Sequence, residues 1–440
     1  MTHYICCPQD SIPKKRRKGA EYISLYGTKI LADFEVGDVA LDLKKDLRAS
    51  GIRPTAEAWD FCSIAMAVAA VDESALRKTS ADGWTRVLKV EIQLAEPLIW
   101  QNQIPALEET LRFLTGDFWS ISLTSGGEPP PEPKKIKDFK ADCVSLLSGG
   151  VDSLVGAIDL CSSGKKPILV SKLVSGDREF QAESASRLVP AENHIQWSFN
   201  SRSTSEGEDS TRARSIIFFA YAALVASSLA SQLSLKKKIP IYVPENGFIS
   251  LNLPLTPLRM GTLSTKTTHP VYLHGLQRIW DAVGINAELL PPFDYRFRTK
   301  GEMLDQCSNK DLLAEIVGKS TSCGRYGVYN HTHCGRCIPC LVRRAAFLRA
   351  GLADTTELSS YKGVRGSYVF KNLAAAAKEK TAVDIRAAGR ACMQVDMEGV
   401  ERFIGGGLAF ASREDRPKFV GVVERGLAEI QALLKKHRVL

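Results

Sequence analysis

The 440-residue chain sets 58 Lys and Arg against 49 Asp and Glu, a net charge of +9, and 44% of its residues are hydrophobic. That balance excludes a disordered chain, and this length calls for two or three domains rather than one. The longest apolar run, 216–230, is too short to span a bilayer, and the opening MTHYICCPQDS lacks the apolar core of a signal peptide; the expectation is a cytoplasmic protein without a membrane segment.

The basic run KKRRK at 14–18 reads as a solvated loop rather than a nucleic-acid contact, which leaves nucleic-acid binding open. Residues 56–73 have helical apolar spacing. Leu88, Val90, Ile92 and Leu94 alternate with Lys89, Glu91 and Gln93, as in a half-buried strand. A second helix over 104–114 and a strand over 119–123 complete an expected α+β domain, 1–125. The proline-rich EPPPEPKKIKDFK marks a linker within 126–141. Short apolar runs at 143–147, 168–174, 195–199 and 239–243 then alternate with helical stretches, the longest beginning near Thr211. This alternation predicts an α/β unit over 142–351 built on a doubly wound parallel sheet. From 352 to 440 the chain reads as a helical extension. Its last helix carries a stripe of Phe419, Val422, Val423, Leu427, Ile430, Leu433 and Leu434.

The first of those apolar runs breaks into LLSGGVDSLVG. Gly149 and Gly150 fall in the turn between a buried strand and a helix, where glycine lets an anion approach the backbone amides. Ser148 and Ser153 add hydroxyls. Asp152 would oppose a bare phosphate, which points to a metal-bridged phosphate or to contacts with backbone amides. The loop lacks the Gly-Lys-Ser ending of a Walker A motif. A simple capped turn is the alternative, but five fixed residues match by chance only about once in a million positions.

Four of the eleven cysteines crowd into SCGRYGVYNHTHCGRCIPC as Cys323, Cys334, Cys337 and Cys340. Three thiolates at equal spacing and a fourth nearby describe a closed zinc site, with an iron–sulfur cluster as the rival. His331 and His333 stand beside a full cysteine set as bystanders.

The Ser-Gly-Gly-x-Asp-Ser turn resembles the PP-loop family of ATP pyrophosphatases, which cut ATP between its α and β phosphates and adenylate an acceptor. The resemblance implies an adenine-nucleotide α-hydrolase-like fold. It also implies that Ser148, Gly149, Gly150, Asp152 and Ser153 hold the pyrophosphate end of ATP, bridged by Mg²⁺. Arg212 and Arg214, ahead of the long apolar helix, are the candidate phosphate clamp. Thr299-Lys300-Gly301-Glu302 is similar to the family's late lysine motif. Asp152, Arg214 and Lys300 are thus the candidate catalytic groups.

Thr321–Cys323 together with CGRCIPCLVRRAAF resembles the zinc region of QueC-type 7-cyano-7-deazaguanine synthases. Those enzymes use ATP to activate a 7-deazaguanine carboxylate for capture by ammonia. Over its whole length, including AEAWDF and ENGFISLNLPLTPLR, the chain resembles the QueC-like proteins of Qat anti-phage defence cassettes. That resemblance implies other cassette proteins as partners and a deazapurine acid as a substrate. Two departures stand out. Ser215 follows Arg214 where QueC enzymes carry Asn, and Glu245-Asn246-Gly247 with the loop to His269 stands where they carry Gly-Tyr-Pro-Asp-Cys-Arg. A PP-loop RNA thiolase and an ATP-binding scaffold without turnover are the other readings.

Overall fold

The computed structural model describes residues 2–28, 35–173, 176–204, 206–233, 237–255, 266–356 and 368–440. Strands β1 (His3–Pro8), β2 (Ala20–Leu25), β3 (Val36–Val39), β4 (Val87–Leu94) and β5 (Phe118–Ser125) lie in one sheet. Strands β6 (Cys143–Leu146), β7 (Pro167–Leu173) and β8 (His194–Ser198) begin a second. Then β9 (Ser201–Arg202) returns to the first sheet, and β10 (Ile239–Tyr242) and β11 (Ala287–Leu290) complete the second.

The first sheet has the order β5-β4-β1-β2-β3-β9. Its first five strands run parallel, and only β9 is antiparallel, on β3. The expectation of an α+β unit is corrected here. Alternation in β4 and β5 reflects a parallel sheet buried on one face, against the Ala56–Ser74 and Ile104–Thr115 helices. The β1 and β2 strands are joined through 9–19 without an α-helix, so no helical period betrays the crossover.

The Ala56–Ser74 helix packs on the Ile216–Leu233 helix, which belongs to the second sheet. Both are apolar around most of their circumference and buried, as a helix enclosed on all sides must be. One hydrophobic core therefore runs through both sheets. The Ala213–Leu233 segment is, among the described residues, the one helix long and apolar enough to cross a bilayer, and most of it is buried inside the protein.

The second sheet has the order β11-β10-β6-β7-β8, all parallel. The first strand in the chain, β6, sits in the middle, with β7 on one side and β10 on the other. The crossover direction reverses between β6 and β10, and a crevice opens there at the carboxyl ends of the strands. The C-terminal residues form the helices Leu373–Ala377, Val383–Glu398, Val400–Ile404 and Arg416–Lys436. The apolar stripe read from the sequence faces the Ile338–Arg349 helix and Phe248, Leu251, Leu253 and Leu255. Part of the ENGFISLNLPLTPLR segment, residues 256–259, lies outside the described residues, as does Val174.

Candidate active site

The turn after β6 and the segment after β10 meet in a cavity of about 230 Å³ at the reversal point. Ser148, Gly150, Asp152, Glu245, Lys300 and Thr321 are among its lining residues. Gly149 adopts φ +94°, and a β-carbon there would lie 3.2 Å from the side chain of Asp177. Gly150 is extended, at φ −82° and ψ 164°, and opens the Val151–Ser162 helix without a side-chain cap. The first helical residues Val151, Asp152 and Ser153 line the cavity, so the amides of that turn open onto it with the positive end of the helix dipole behind them.

The two serines brace the loop rather than project from it. Ser148 and Ser153 hydroxyls are 3.1 Å apart. Ser153 Oγ accepts from the Ser148 amide at 3.2 Å and donates to the Gly150 carbonyl at 3.0 Å, while Ser148 Oγ accepts from the Gly150 amide at 3.3 Å. The loop thus keeps its shape through its own hydroxyls.

Lys300, which opens the Lys300–Asp305 helix, donates from Nζ to Asp152 Oδ2 at 2.6 Å. Asn246 Nδ2 donates to the same oxygen at 2.9 Å and to Glu245 Oε1 at 3.1 Å. Burial opposes ionisation of Asp152. The Lys300 ammonium and hydrogen bonds from Glu245, Lys300 and Asn246 outweigh it and hold the carboxyl below its ordinary range. Glu245 moves the other way: burial first, and the Asp152 charge second, push it well above the carboxylate range. Asp152 Oδ1 is buried without a hydrogen-bond partner among the described residues, which suits it to a cation brought in with a phosphate.

The two arginines of the expected clamp part company. Arg212 is buried elsewhere: its amide donates to Asp72 Oδ2 at 2.6 Å, its Nη1 donates to the Thr115 carbonyl at 3.1 Å, and its guanidinium lies 4.7 Å from the Trp84 ring. Burial, then Arg77, bring its pKa down to about 10. Arg212 joins the two sheets and is not among the residues lining the cavity. Arg214 is exposed, and its charge reaches Lys172 at the end of β7. Burial, then Arg214, lower the Lys172 pKa to about 8. Gln181 Nε2 links this edge to the loop, donating to the carbonyls of Ser148 at 3.0 Å and Lys172 at 3.3 Å. Neither Arg214 nor Lys172 is among the residues lining the cavity; Lys172 is a buried lysine the sequence reading passed over. Its signal was a lysine inside the apolar run ILVSKLV.

The four cysteines converge as the spacing predicts. All are buried free thiols with their sulfurs within 4.8 Å of one another, and the Cys323–Cys337 and Cys334–Cys340 separations are both 3.9 Å. A tetrahedral zinc with bonds of about 2.3 Å sets its sulfurs about 3.8 Å apart; a multi-iron core would spread them wider. Backbone amides of Arg325 and Cys334 point at Cys323 Sγ, and those of Arg336 and Cys337 at Cys334 Sγ, at 3.3–3.5 Å. Such donors favour thiolates. The cluster is compatible with zinc. His333 is a bystander, because its Nε2 accepts from the Ser322 amide at 3.1 Å.

This knot is also a wall of the cavity. Thr321, Ser322 and Pro339 line it, and the Thr321 amide donates to the Gly149 carbonyl at 2.9 Å. Arg343, fully buried, fixes the approach by donating to Ser320 Oγ at 2.8 Å and the Val317 carbonyl at 2.9 Å.

This chain is similar to a 7-cyano-7-deazaguanine synthase. The relative, from Methanococcus vannielii, is 25% identical over 248 residues, covering 49% of this chain and 97% of its own length. No protein-family model matches the chain.

Proposed function

We propose that this protein is a QueC-type ATP-dependent ligase, forming AMP and pyrophosphate as it activates a carboxylate for capture by an amine. The observation that carries this reading is the Asp152–Lys300 pair set against an uncapped helix turn at the sheet's reversal point. The similarity to a 7-cyano-7-deazaguanine synthase supports a 7-deazaguanine acid as the carboxylate. An oxygen of that acid attacks the α-phosphorus, and the bond to the β-phosphate oxygen breaks as pyrophosphate leaves. The amine then attacks the acyl carbon and loses a proton, and AMP departs carrying an oxygen of the acid.

In this reading the amides of Val151–Ser153 hold the β- and γ-phosphates, and Lys300 turns from Asp152 to the charge growing on the α-phosphate. Asp152 Oδ1 and Glu245 would hold Mg²⁺, which neutralises phosphate charge when bound. Cys323, Cys334, Cys337 and Cys340 would hold a structural zinc. A thiolase would need open redox thiols, and Cys334 and Cys337 are buried.

About half of the chain lies outside the similarity, which supports an amine bulkier than ammonia, on a protein partner of an anti-phage defence cassette. Incubation with MgATP, 7-carboxy-7-deazaguanine and such a partner is expected to yield AMP in proportion to the coupled product. Asp152→Ala and Lys300→Ala are expected to slow this by about 10²-fold or more. ADP in place of AMP, or AMP formed regardless of the acid supplied, would overturn the reading.

A further inference from the structure

The lysine that meets Asp152 is held from behind by the C-terminal helix, Arg416–Lys436. Thr299 caps the lysine's helix through a capping box: its Oγ1 accepts from the Glu302 amide at 3.0 Å, and Glu302 Oε2 accepts from the Thr299 amide at 2.9 Å. The same hydroxyl donates to Glu429 Oε1, on the C-terminal helix. Glu429 also lies against Gly301. A β-carbon on Gly301 would lie 2.6 Å from Glu429 Oε1 and 2.8 Å from Arg349 Cγ, so only glycine admits this approach. Arg425, one turn earlier, donates from Nε to Glu302 Oε1 at 2.6 Å and from Nη2 to the Phe297 carbonyl at 2.8 Å.

The other wall is braced by the same helix. A β-carbon on Gly426 would come within 2.4 Å of the Phe248 ring, two residues from Asn246. Glu429 is itself a buried carboxyl, 8% exposed. A carboxyl enclosed this way costs stability unless its bonds are used, and here its partner, Thr299, caps the turn that carries Lys300.

We propose that Glu429 is a positioning residue. By bonding Thr299 and packing against Gly301 it fixes the start of the Lys300 helix and so aims the ammonium at Asp152. The C-terminal extension is then a working part of the site rather than an appendage. Only the activity arm of the test rests on the ligase reading above; the geometric arm does not.

Two measurements on the full-length protein separate the two. The first is competitive acetylation of lysines with acetic anhydride, read by peptide mass spectrometry, with hydrogen exchange over 299–305. Glu429→Ala is expected to raise Lys300 labelling at least fivefold and to speed exchange in that segment, while buried Lys172 stays as in the wild type. Glu429→Gln, whose amide oxygen still accepts from Thr299, is expected to stay within twofold of the wild type. Exposed Glu424→Ala on the same helix serves as the control. If Glu429→Ala also frees Lys172, the variant has unfolded, and Arg425→Met replaces it with an expected two- to fivefold rise at Lys300. The second measurement is AMP formation, where Glu429→Ala is expected to lower kcat at least tenfold with the KM for ATP within threefold. Unchanged Lys300 labelling and exchange in a folded Glu429→Ala, or in Arg425→Met where it stands in, would overturn the positioning role. A wild type that makes no AMP counts against the ligase reading alone, and the labelling still decides this one.

Discussion

Gly149 and Gly150 are adjacent and identical, yet they answer different demands. Gly149 holds a left-handed backbone, with Asp177 against the place a β-carbon would take. Gly150 has an ordinary extended backbone, where a β-carbon would meet its nearest atoms at 3.4 Å and 3.5 Å. Gly149→Ala is therefore expected to destabilise the protein by about 1–2 kcal/mol, and Gly150→Ala to leave stability nearly unchanged, as read from urea midpoints. Equal losses at the two positions would show that the turn's shape is not the constraint. The residue types of this turn were legible from the sequence because strand, glycines and helix are contiguous. The destination of Arg212 was not. Its partners Asp72 and Thr115 lie far away in the chain, and motif order says nothing about which way a side chain leaves the backbone.

The thiol knot and the glycine turn are separate motifs in the sequence and one wall in space. Thr321 and Ser322 run directly into Cys323, and Pro339 sits between Cys337 and Cys340. The Thr321–Gly149 backbone bond then ties the knot to the turn. Because metal binding and folding are coupled in such knots, chelating the metal is expected to weaken MgATP binding at least tenfold and to lower the melting temperature. Cys337→Ser should act in the same direction. Calorimetry showing full ATP affinity in metal-free protein would contradict the shared wall. The cysteine spacing made the knot legible. Its place beside the turn depends on Ser322, His333 and Arg343, whose roles emerge only when the chain has folded. Elements of low signal were lost in the same way: β3 is VGDV and β11 is AELL, too short and too polar to announce a strand.

The whole molecule is built around a joint between its two sheets. Asp72 and Asp117 are buried with Arg77 and Arg86: Arg77 Nη1 lies 3.0 Å from Asp117 Oδ1, and Arg86 Nη2 lies 2.6 Å from Asp117 Oδ2 and also pairs with Asp72. Asp72 further accepts from the amides of Arg212 and Ala213, at the start of the long apolar helix. Removing one partner leaves buried guanidinium charge uncompensated, so Asp72→Ala is expected to cost about 3–5 kcal/mol in one cooperative unfolding transition. Two well-separated transitions, with only the first shifted, would show that the sheets unfold independently. At this scale the sequence was least informative. A proline-rich stretch read as a spacer is instead strapped down, with Lys44 Nζ 2.6 Å from Glu128 Oε2 and Trp59 Nε1 donating to the Glu128 carbonyl at 2.8 Å.

The central claim is that a carboxylate attacks the α-phosphorus of ATP held between the glycine turn and Lys300. Oxygen tracing tests it most directly. With 7-carboxy-7-deazaguanine labelled with ¹⁸O in its carboxyl group, one labelled oxygen is expected in the phosphate of each AMP released, and none in pyrophosphate. AMP free of label would mean that water rather than the acid attacks, and label in inorganic phosphate beside ADP would place the attack at the γ-phosphorus; either result contradicts the account.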